Sequence, residues 1–405
     1  MTSIIFILLG LLCISICHLK SRDIIHPIGI GSLLWFMAAA LSNVTSLYDS
    51  SLQIPLSFET NLAIFLAGMS FTIPIFFSRK IDKNEFIIQK LYFGFGYKAF
   101  YNFFIMLSVL AFVIRFKSEL LTPPLFYGTS FDLKQSVPDA LPGLNFADIA
   151  IPFLAIIAFW EYKNSINISS CRKLFLILYM LFSVVSLLVY KVSRGEFVVV
   201  MLGIIYLIII PKRIFIRFKY ILIISFFASL FFYVGSLRIS ESSRVSTQFG
   251  SGNINILLSQ IYTYIAMNFQ NLNTLVNSNF EPTYFWGGFK FFLKPFFGAA
   301  YERNEVGLTD YTTLFFNAKT FIYYFYNDLG LAGVIIYPLV IGFTMQLLYN
   351  SSVQKVKYFV VIACLMKPIL FMFFGNYFFG EFVLLIPYIM ILILALNVKT
   401  IYVKR

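Results

Sequence analysis

The chain has 405 residues, 60% of them apolar and 12% charged, with a mean hydropathy of +0.84. A soluble domain has roughly 45–50% apolar and about 25% charged residues, so an ordinary soluble protein is excluded. A net charge of +13 would suggest nucleic acid in a soluble chain. In a chain this apolar, the question is instead which membrane face carries the excess, and no nucleic-acid partner is expected.

Apolar runs predict eleven spanning helices, near 4–18, 28–47, 60–77, 97–114, 146–160, 173–190, 197–210, 219–237, 329–349, 358–375 and 381–397. Leu174–Tyr190 and Phe382–Leu396 are long and charge-free, whereas 146–160 and 197–210 are short. The run at 146–160 holds Asp148 and Pro152, which fits a tilted helix or one that starts inside the protein. The first run lacks a basic leader and a small-residue cleavage site, so it reads as an uncleaved span.

Charge alternates between the connections. Segments 19–27, 78–98, 161–173, 211–219, 350–357 and 398–405 hold 19 of the 31 Lys/Arg and four of the 18 acids. One face therefore carries +15 and the rest of the chain −2. The positive-inside rule makes the basic set cytoplasmic, the N-terminus external and the C-terminus internal. Clusters such as Lys212, Arg213, Arg217 and Lys219 would also meet anionic headgroups. No cysteine falls in an external segment, so no disulfide framework is indicated. His18 and His26 sit at the cytoplasmic end of the first hairpin. No Cys/His cluster has metal-ligand spacing and no nucleotide fingerprint is present, so no cofactor is expected.

Two external segments exceed simple connectors. The first, 115–145, is proline-rich and carries Arg115, Lys117, Asp132, Lys134 and Asp139. The second, 238–328, is long enough to hold a binding or catalytic site and separates helices 1–8 (1–237) from helices 9–11 (329–405). Within it, 254–277 shows helical apolar spacing opposite an uncharged face that includes Gln270 and Asn273. Such a face suits sugar hydroxyls, or packs as a polar face on the bundle. Residues 284–297 are rich in Phe, with Tyr284, Trp286 and the same-face pair Lys290 and Lys294. That pattern fits an interfacial helix whose lysines reach phosphate, or a plain anchor of the loop. Asp328 precedes Gly330 and Gly333, where it is most simply an N-cap beside a tight turn or close helix packing.

The external turn Lys191-Val192-Ser193-Arg194-Gly195-Glu196 puts two cations and an acid at the membrane edge. Arg194 could grip a phosphate bidentately; alternatively the cations snorkel, with a salt bridge to Glu196. Arg238 and Arg244 could face the same space, and Lys367 is a charge inside a span.

The Ser193-Arg194-Gly195 turn opening a span, the large late external loop and the Asp328-Leu329-Gly330-x-x-Gly333 re-entry resemble the O-antigen polymerases of the Wzy type. Some members carry an Arg-x10-Gly pattern; here Arg194 is followed by Gly203, at shorter spacing. The resemblance implies an all-α polytopic bundle like the GT-C transferases, with amphipathic helices in a large periplasmic loop, in the bacterial inner membrane. It implies undecaprenyl-pyrophosphate-linked oligosaccharides as substrates, contact with membrane lipid, a chain-length regulator as partner, and no metal or nucleotide sugar. Transfer would be inverting, with arginines stabilising the pyrophosphate leaving group and one acid taking the acceptor proton. Arg194, Glu196 and Asp310 are the catalytic candidates, with Arg238, Arg244, Lys290, Lys294, Arg303, Gln270 and Asn273 as pyrophosphate or glycan contacts. An O-antigen ligase or a glycan acyltransferase would call for an external histidine, and a flippase for internal repeats. Neither is seen in the sequence.

Overall fold

The computed structural model describes residues 1–23, 25–44, 54–79, 88–126, 137–138, 144–209, 256–278, 280–284, 318–378 and 382–403. Thirteen helices and two strands are used below. The first group is α1 (Thr2–Ser21), α2 (Pro27–Ser42), α3 (Phe58–Thr72, continued as a 3-10 turn over Ile73–Phe77), β1 (Ile88–Phe93) and α4 (Phe95–Arg115). Then come α5 (Asn145–Ile149), α6 (Ile151–Asn164), α7 (Ser170–Val185, continued as a π-turn over Ser186–Tyr190) and α8 (Arg194–Ile209). The last are α9 (Ile256–Val276), α10 (Tyr323–Leu329), α11 (Leu331–Gln354), α12 (Phe359–Leu370), α13 (Phe382–Leu396) and β2 (Val398–Val403).

The architecture is that of a helical membrane protein. Among the described residues, five helices are long and apolar enough to cross a bilayer: Thr2–Ser21, Phe58–Phe77, Phe95–Arg115, Ser170–Tyr190 and Leu331–Gln354. Their exposed side chains form apolar stripes at helical spacing. On α4 the stripe is Phe100, Phe103, Met106 and Leu110; on α7 it is Leu174, Leu178, Leu181 and Val185. A stripe of that width in water would be costly, but against lipid it is neutral. The expected runs at 28–47, 146–160, 197–210, 358–375 and 381–397 are shorter helices of 16, 14, 16, 12 and 15 residues. At about 1.5 Å per residue α2, α6 and α12, which are bounded by described residues on both sides, fall short of a ~30 Å hydrocarbon core. The run at 219–237 lies outside the described residues. The short helix α6 is buried along its whole apolar length, from Ile151 to Trp160 on nearly every face, because it packs between α7 and α8.

The chain forms two compact units, each discontinuous in sequence. Unit 1 comprises Met1–Ile81, Val245–Asn350 and Pro368–Phe382; unit 2 comprises Asp82–Arg244, Ser351–Lys367 and Val383–Arg405. At one end of unit 1, Tyr349 donates to Asp23 (2.6 Å), the Arg79 amide donates to Asn350 (3.1 Å) and the Asn350 amide donates to the Phe77 carbonyl (3.1 Å). In unit 2, β1 and β2 pair antiparallel from Ile88↔Val403 to Phe93↔Val398, and Ile166 donates to the Leu91 carbonyl. Lys357 donates to the carbonyls of Leu396 and Val398, both at 3.1 Å. Within each unit, then, the segments grouped by charge as one face meet one another. The β-ribbon departs from an all-helical chain, and its strands come from segments read as loop and tail.

Buried ion pairs pin unit 2 at this end. Glu161, fully buried, accepts a bidentate pair from Arg172 (Nε–Oε1 and Nη2–Oε2, both 2.8 Å), and Arg172 also donates to Asn102. In unit 1 two helices approach closely at Gly333, where an added Cβ would collide with the Phe325 carbonyl oxygen and lie 2.9 Å from its carbon. Gly330 supplies the reversal between α10 and α11 at φ 58°, a conformation that costs glycine little. Gly333→Ala should therefore lower stability by about 1–3 kcal/mol through overpacking. Gly96→Ala, where nothing lies within 4 Å, should instead raise it by about 0.5–1 kcal/mol. Thermal unfolding of both variants in detergent checks the contrast, and equal midpoints would contradict it.

Candidate functional site

Opposite its β-ribbon end, unit 2 gathers charge on top of an apolar core. The core consists of Phe112, Phe116, Ile151, Ala155, Leu187 and Val200, with Val137, Phe182, Tyr190 and Ile204 packed against it. Each charged residue follows or precedes a core residue by a turn or less. Arg115 lies between Phe112 and Phe116, Asp148 three before Ile151, Lys191 four after Leu187, and Glu196 four before Val200. Packing of four helix ends thus sets the positions of the charges. Tyr190 stands edge-on to both Phe112 and Phe116, with centroids 5.0 and 5.5 Å away, and the Arg115 guanidinium lies 5.2 Å over the Phe116 ring.

Asp148 is the shared anion. Its Oδ2 lies 2.5 Å from Arg115 Nη1 and 2.8 Å from Lys191 Nζ. Arg115 Nε also donates to the Pro138 carbonyl at 2.8 Å. Asp148 Oδ1 is buried with no hydrogen-bond donor among the described residues. Lys191 in turn donates to Glu196 Oε2 at 2.8 Å and to the Asp148 carbonyl at 2.9 Å. The Lys191 and Asp148 side chains are 3% and 4% exposed, Glu196 30%. Lys191 therefore does not snorkel; its ammonium is held inside by two carboxylates and a carbonyl.

The backbone that delivers these groups is unusual. The end of α7 widens into the π-turn, with the Lys191 amide donating to the Ser186 carbonyl at 2.9 Å. Val192 then takes φ 46°, an outlier for a β-branched residue. Ser193 caps α8 by accepting from the Glu196 amide (3.4 Å). Ser193-Arg194-Gly195-Glu196 has the spacing of a capping box, but Glu196 turns to Lys191 instead of back to the Ser193 amide, which donates to the Leu187 carbonyl. π-turns and strained positions of this kind recur at functional sites. Gly195 lies against Lys367, whose ammonium is 3.3 Å from where a Cβ would stand. The site thus joins Arg115 and Lys191 to Asp148 and Glu196, with Lys367 against Gly195 and Arg194 as the first residue of α8.

Of the residues expected from sequence, Arg194 and Glu196 both lie in the first turn of α8, and Glu196 is joined to Lys191. Arg238, Arg244, Lys290, Lys294, Arg303 and Asp310 lie outside the described residues. Gln270 and Asn273 lie in unit 1, buried, and their polar groups hold the start of α3. Gln270 Nε2 donates to the Ile54 carbonyl at 2.7 Å, and Asn273 Oδ1 accepts from the Ser57 amide (2.9 Å) and Thr60 Oγ1 (2.8 Å). The polar face of α9 is in that respect a packing face, the second of its two expected roles. Asp328 is not an N-cap of the following helix. It ends α10, fully buried, and accepts from the Thr283 hydroxyl and from Tyr337 (3.3 Å), because Gly330 breaks the helix after it. His26 sits at the Asp23 end of unit 1, where burial pushes its pKa down to about 3 and its ring packs 4.0 Å from Tyr349.

Sequence reasoning missed Asp148 and Arg115 as members of the site. The signal was present in Asp148, an acid in an apolar run, which is a functional candidate by default. Compared with known protein families, curated proteins and solved structures, the chain matches none.

Proposed function

We propose that this protein is a polysaccharide polymerase that joins undecaprenyl-pyrophosphate-linked oligosaccharide repeat units at the periplasmic face of the bacterial inner membrane. The observation that supports this reading is the buried cluster of Arg115, Lys191, Asp148 and Glu196 at the 191–196 end of unit 2, with Lys367 against Gly195 and Arg194 in the same helix turn. A hydroxyl of the incoming unit attacks the anomeric carbon of the growing chain. The bond to pyrophosphate breaks, and the electron pair leaves with the phosphate oxygen. Arg194, Lys191 and Lys367 offset that developing charge in a site partly closed to water. Glu196 takes the hydroxyl proton, and one base suffices for inversion. Arg238, Arg244, Lys290, Lys294 and Arg303 are the further pyrophosphate or glycan contacts proposed from sequence, and Asp310 the alternative base so proposed. The eleven-span, GT-C-like bundle, the external N-terminus and a chain-length regulator as partner belong to this proposal.

The ligase alternative needs an external histidine, and the chain's two, His18 and His26, lie at the Asp23 end of α1. Deleting the gene in a lipopolysaccharide-making host should leave lipid A-core capped with a single repeat unit. Total loss of the glycan would instead favour a ligase or flippase and overturn the polymerase reading.

A further inference from the structure

Lys191 Nζ has three hydrogens and three acceptors: Asp148 Oδ2 at 2.8 Å, the Asp148 carbonyl at 2.9 Å and Glu196 Oε2 at 2.8 Å. An ammonium donates three hydrogen bonds and no more. A phosphate oxygen can therefore reach Lys191 only by displacing one of the three. The carbonyl is fixed in the backbone at α5. The Asp148 carboxylate is 4% exposed and is also held by Arg115. Glu196 is different. Its side chain is 30% exposed, it stands on the first turn of a 16-residue helix, and Lys191 is its ion-pair partner among the described residues. Moving its carboxylate away needs a side-chain rotation and no change of backbone. The place it would vacate lies against the Lys191 ammonium in the first turn of α8, where the positive end of the helix favours an anion.

We propose that the Glu196 carboxylate occupies the anion position on Lys191 in the empty protein and exchanges with a phosphate group of the bound ligand. This rests on the polymerase reading for the identity of that ligand, a pyrophosphate-linked glycan, and deepens it by ordering the steps. With no donor bound, Glu196 is tied to Lys191 and is a weak base. Once pyrophosphate takes its place on Lys191, Glu196 is released into a site that now holds extra negative charge, where its affinity for a proton rises. The acceptor hydroxyl is deprotonated only after the donor is in place. Asp148 is the positioning residue of this arrangement, since it keeps Lys191 oriented through the exchange.

The test separates binding from turnover. In a simple base role, Glu196→Gln loses polymerisation and leaves ligand affinity alone. Exchange predicts that the same variant loses polymerisation yet binds pyrophosphate more tightly, because only a bond to a neutral amide, and no longer an ion pair, has to be displaced from Lys191. The gain should be about 10- to 100-fold. Inorganic pyrophosphate is titrated calorimetrically into the full chain in neutral detergent, for wild type, Glu196→Gln and Glu196→Ala, the last serving if the glutamine variant does not fold. Adding Lys191→Met to either variant should abolish the gain. Equal or weaker binding by both Glu196 variants overturns the exchange and leaves the polymerase reading to the gene-deletion phenotype. Repeating the titration with short-chain phosphatidylglycerol distinguishes the source of the phosphate. Equal tightening for both ligands assigns the position to a lipid headgroup and overturns the pyrophosphate assignment.

Discussion

Cells carrying Arg194→Ala should lose long polysaccharide chains, with the rate of chain extension falling about 10²–10³-fold, the usual cost of one donor to a developing anion. The expectation follows from position. Arg194 opens α8 directly above an apolar core, in a turn fixed by the π-turn of α7, the positive φ of Val192 and the Ser193 cap. On the polymerase proposal, a residue on so constrained a backbone would present its donors with little reorganisation when the leaving group forms. Arg194→Lys keeps the charge and loses the planar fork, and it should fail nearly as badly if two phosphate oxygens are gripped at once. Gel profiles of the surface glycan, at matched levels of membrane-inserted protein, check both variants. Wild-type chain length in Arg194→Ala would remove Arg194 from the site, and full rescue by lysine would leave a point charge as its whole contribution.

Asp148→Leu should destabilise the protein by about 3–5 kcal/mol, the cost of leaving a buried charge without its partner. Asp148 serves two cations at once, and its pair with Lys191 is nearly inaccessible from both sides. Without it, Lys191 keeps Glu196 but loses its strongest buried partner, and Arg115 keeps only the Pro138 carbonyl among the bonds described above. The double variant Asp148→Leu, Lys191→Met should recover the share of the loss that comes from the unpaired Lys191, since apolar groups of similar volume replace a buried ion pair at little cost, and leave the share due to Arg115. Thermal unfolding in detergent measures both. A change within about 0.5 kcal/mol for Asp148→Leu, the range of an ordinary surface substitution, would show that the cluster contributes nothing to the fold. The two variants also separate function from stability, because the repacked double variant should be more stable than Asp148→Leu and inactive.

Much of unit 2 could be anticipated from local pattern. The apolar runs behind α4 and α7 are long and carry lipid-facing stripes, and their ends agree with the expected bounds within a few residues. The turn at 191–196 stood out because charged residues rarely interrupt apolar sequence without reason. Glu196 and Lys191 are close in sequence, so their pairing needs only a local turn. Asp148 is a different case. It is 33 residues from Arg115 and 43 from Lys191, and it meets both because α5 and α6 pack between α4, α7 and α8. Periodicity carries no information about such distant partners. The face of α9 left two roles open for a related reason. Amides in a helix look the same in sequence whether they await a sugar or hold a loop, and Asn273 is held by Ser57 and Thr60 more than 200 residues away.

Composition and charge order by themselves determined that this is an apolar helical chain whose connecting segments differ in charge, because helix length and local charge are properties of one segment at a time. Tertiary structure alone decided which apolar helices face lipid and which, like α6, are enclosed. It also decided that 88–93 and 398–403 pair as strands, and that Asp148 joins Lys191 and Arg115. Those outcomes depend on which distant groups can satisfy one another's hydrogen bonds and charges once water is gone, a condition that no single segment specifies.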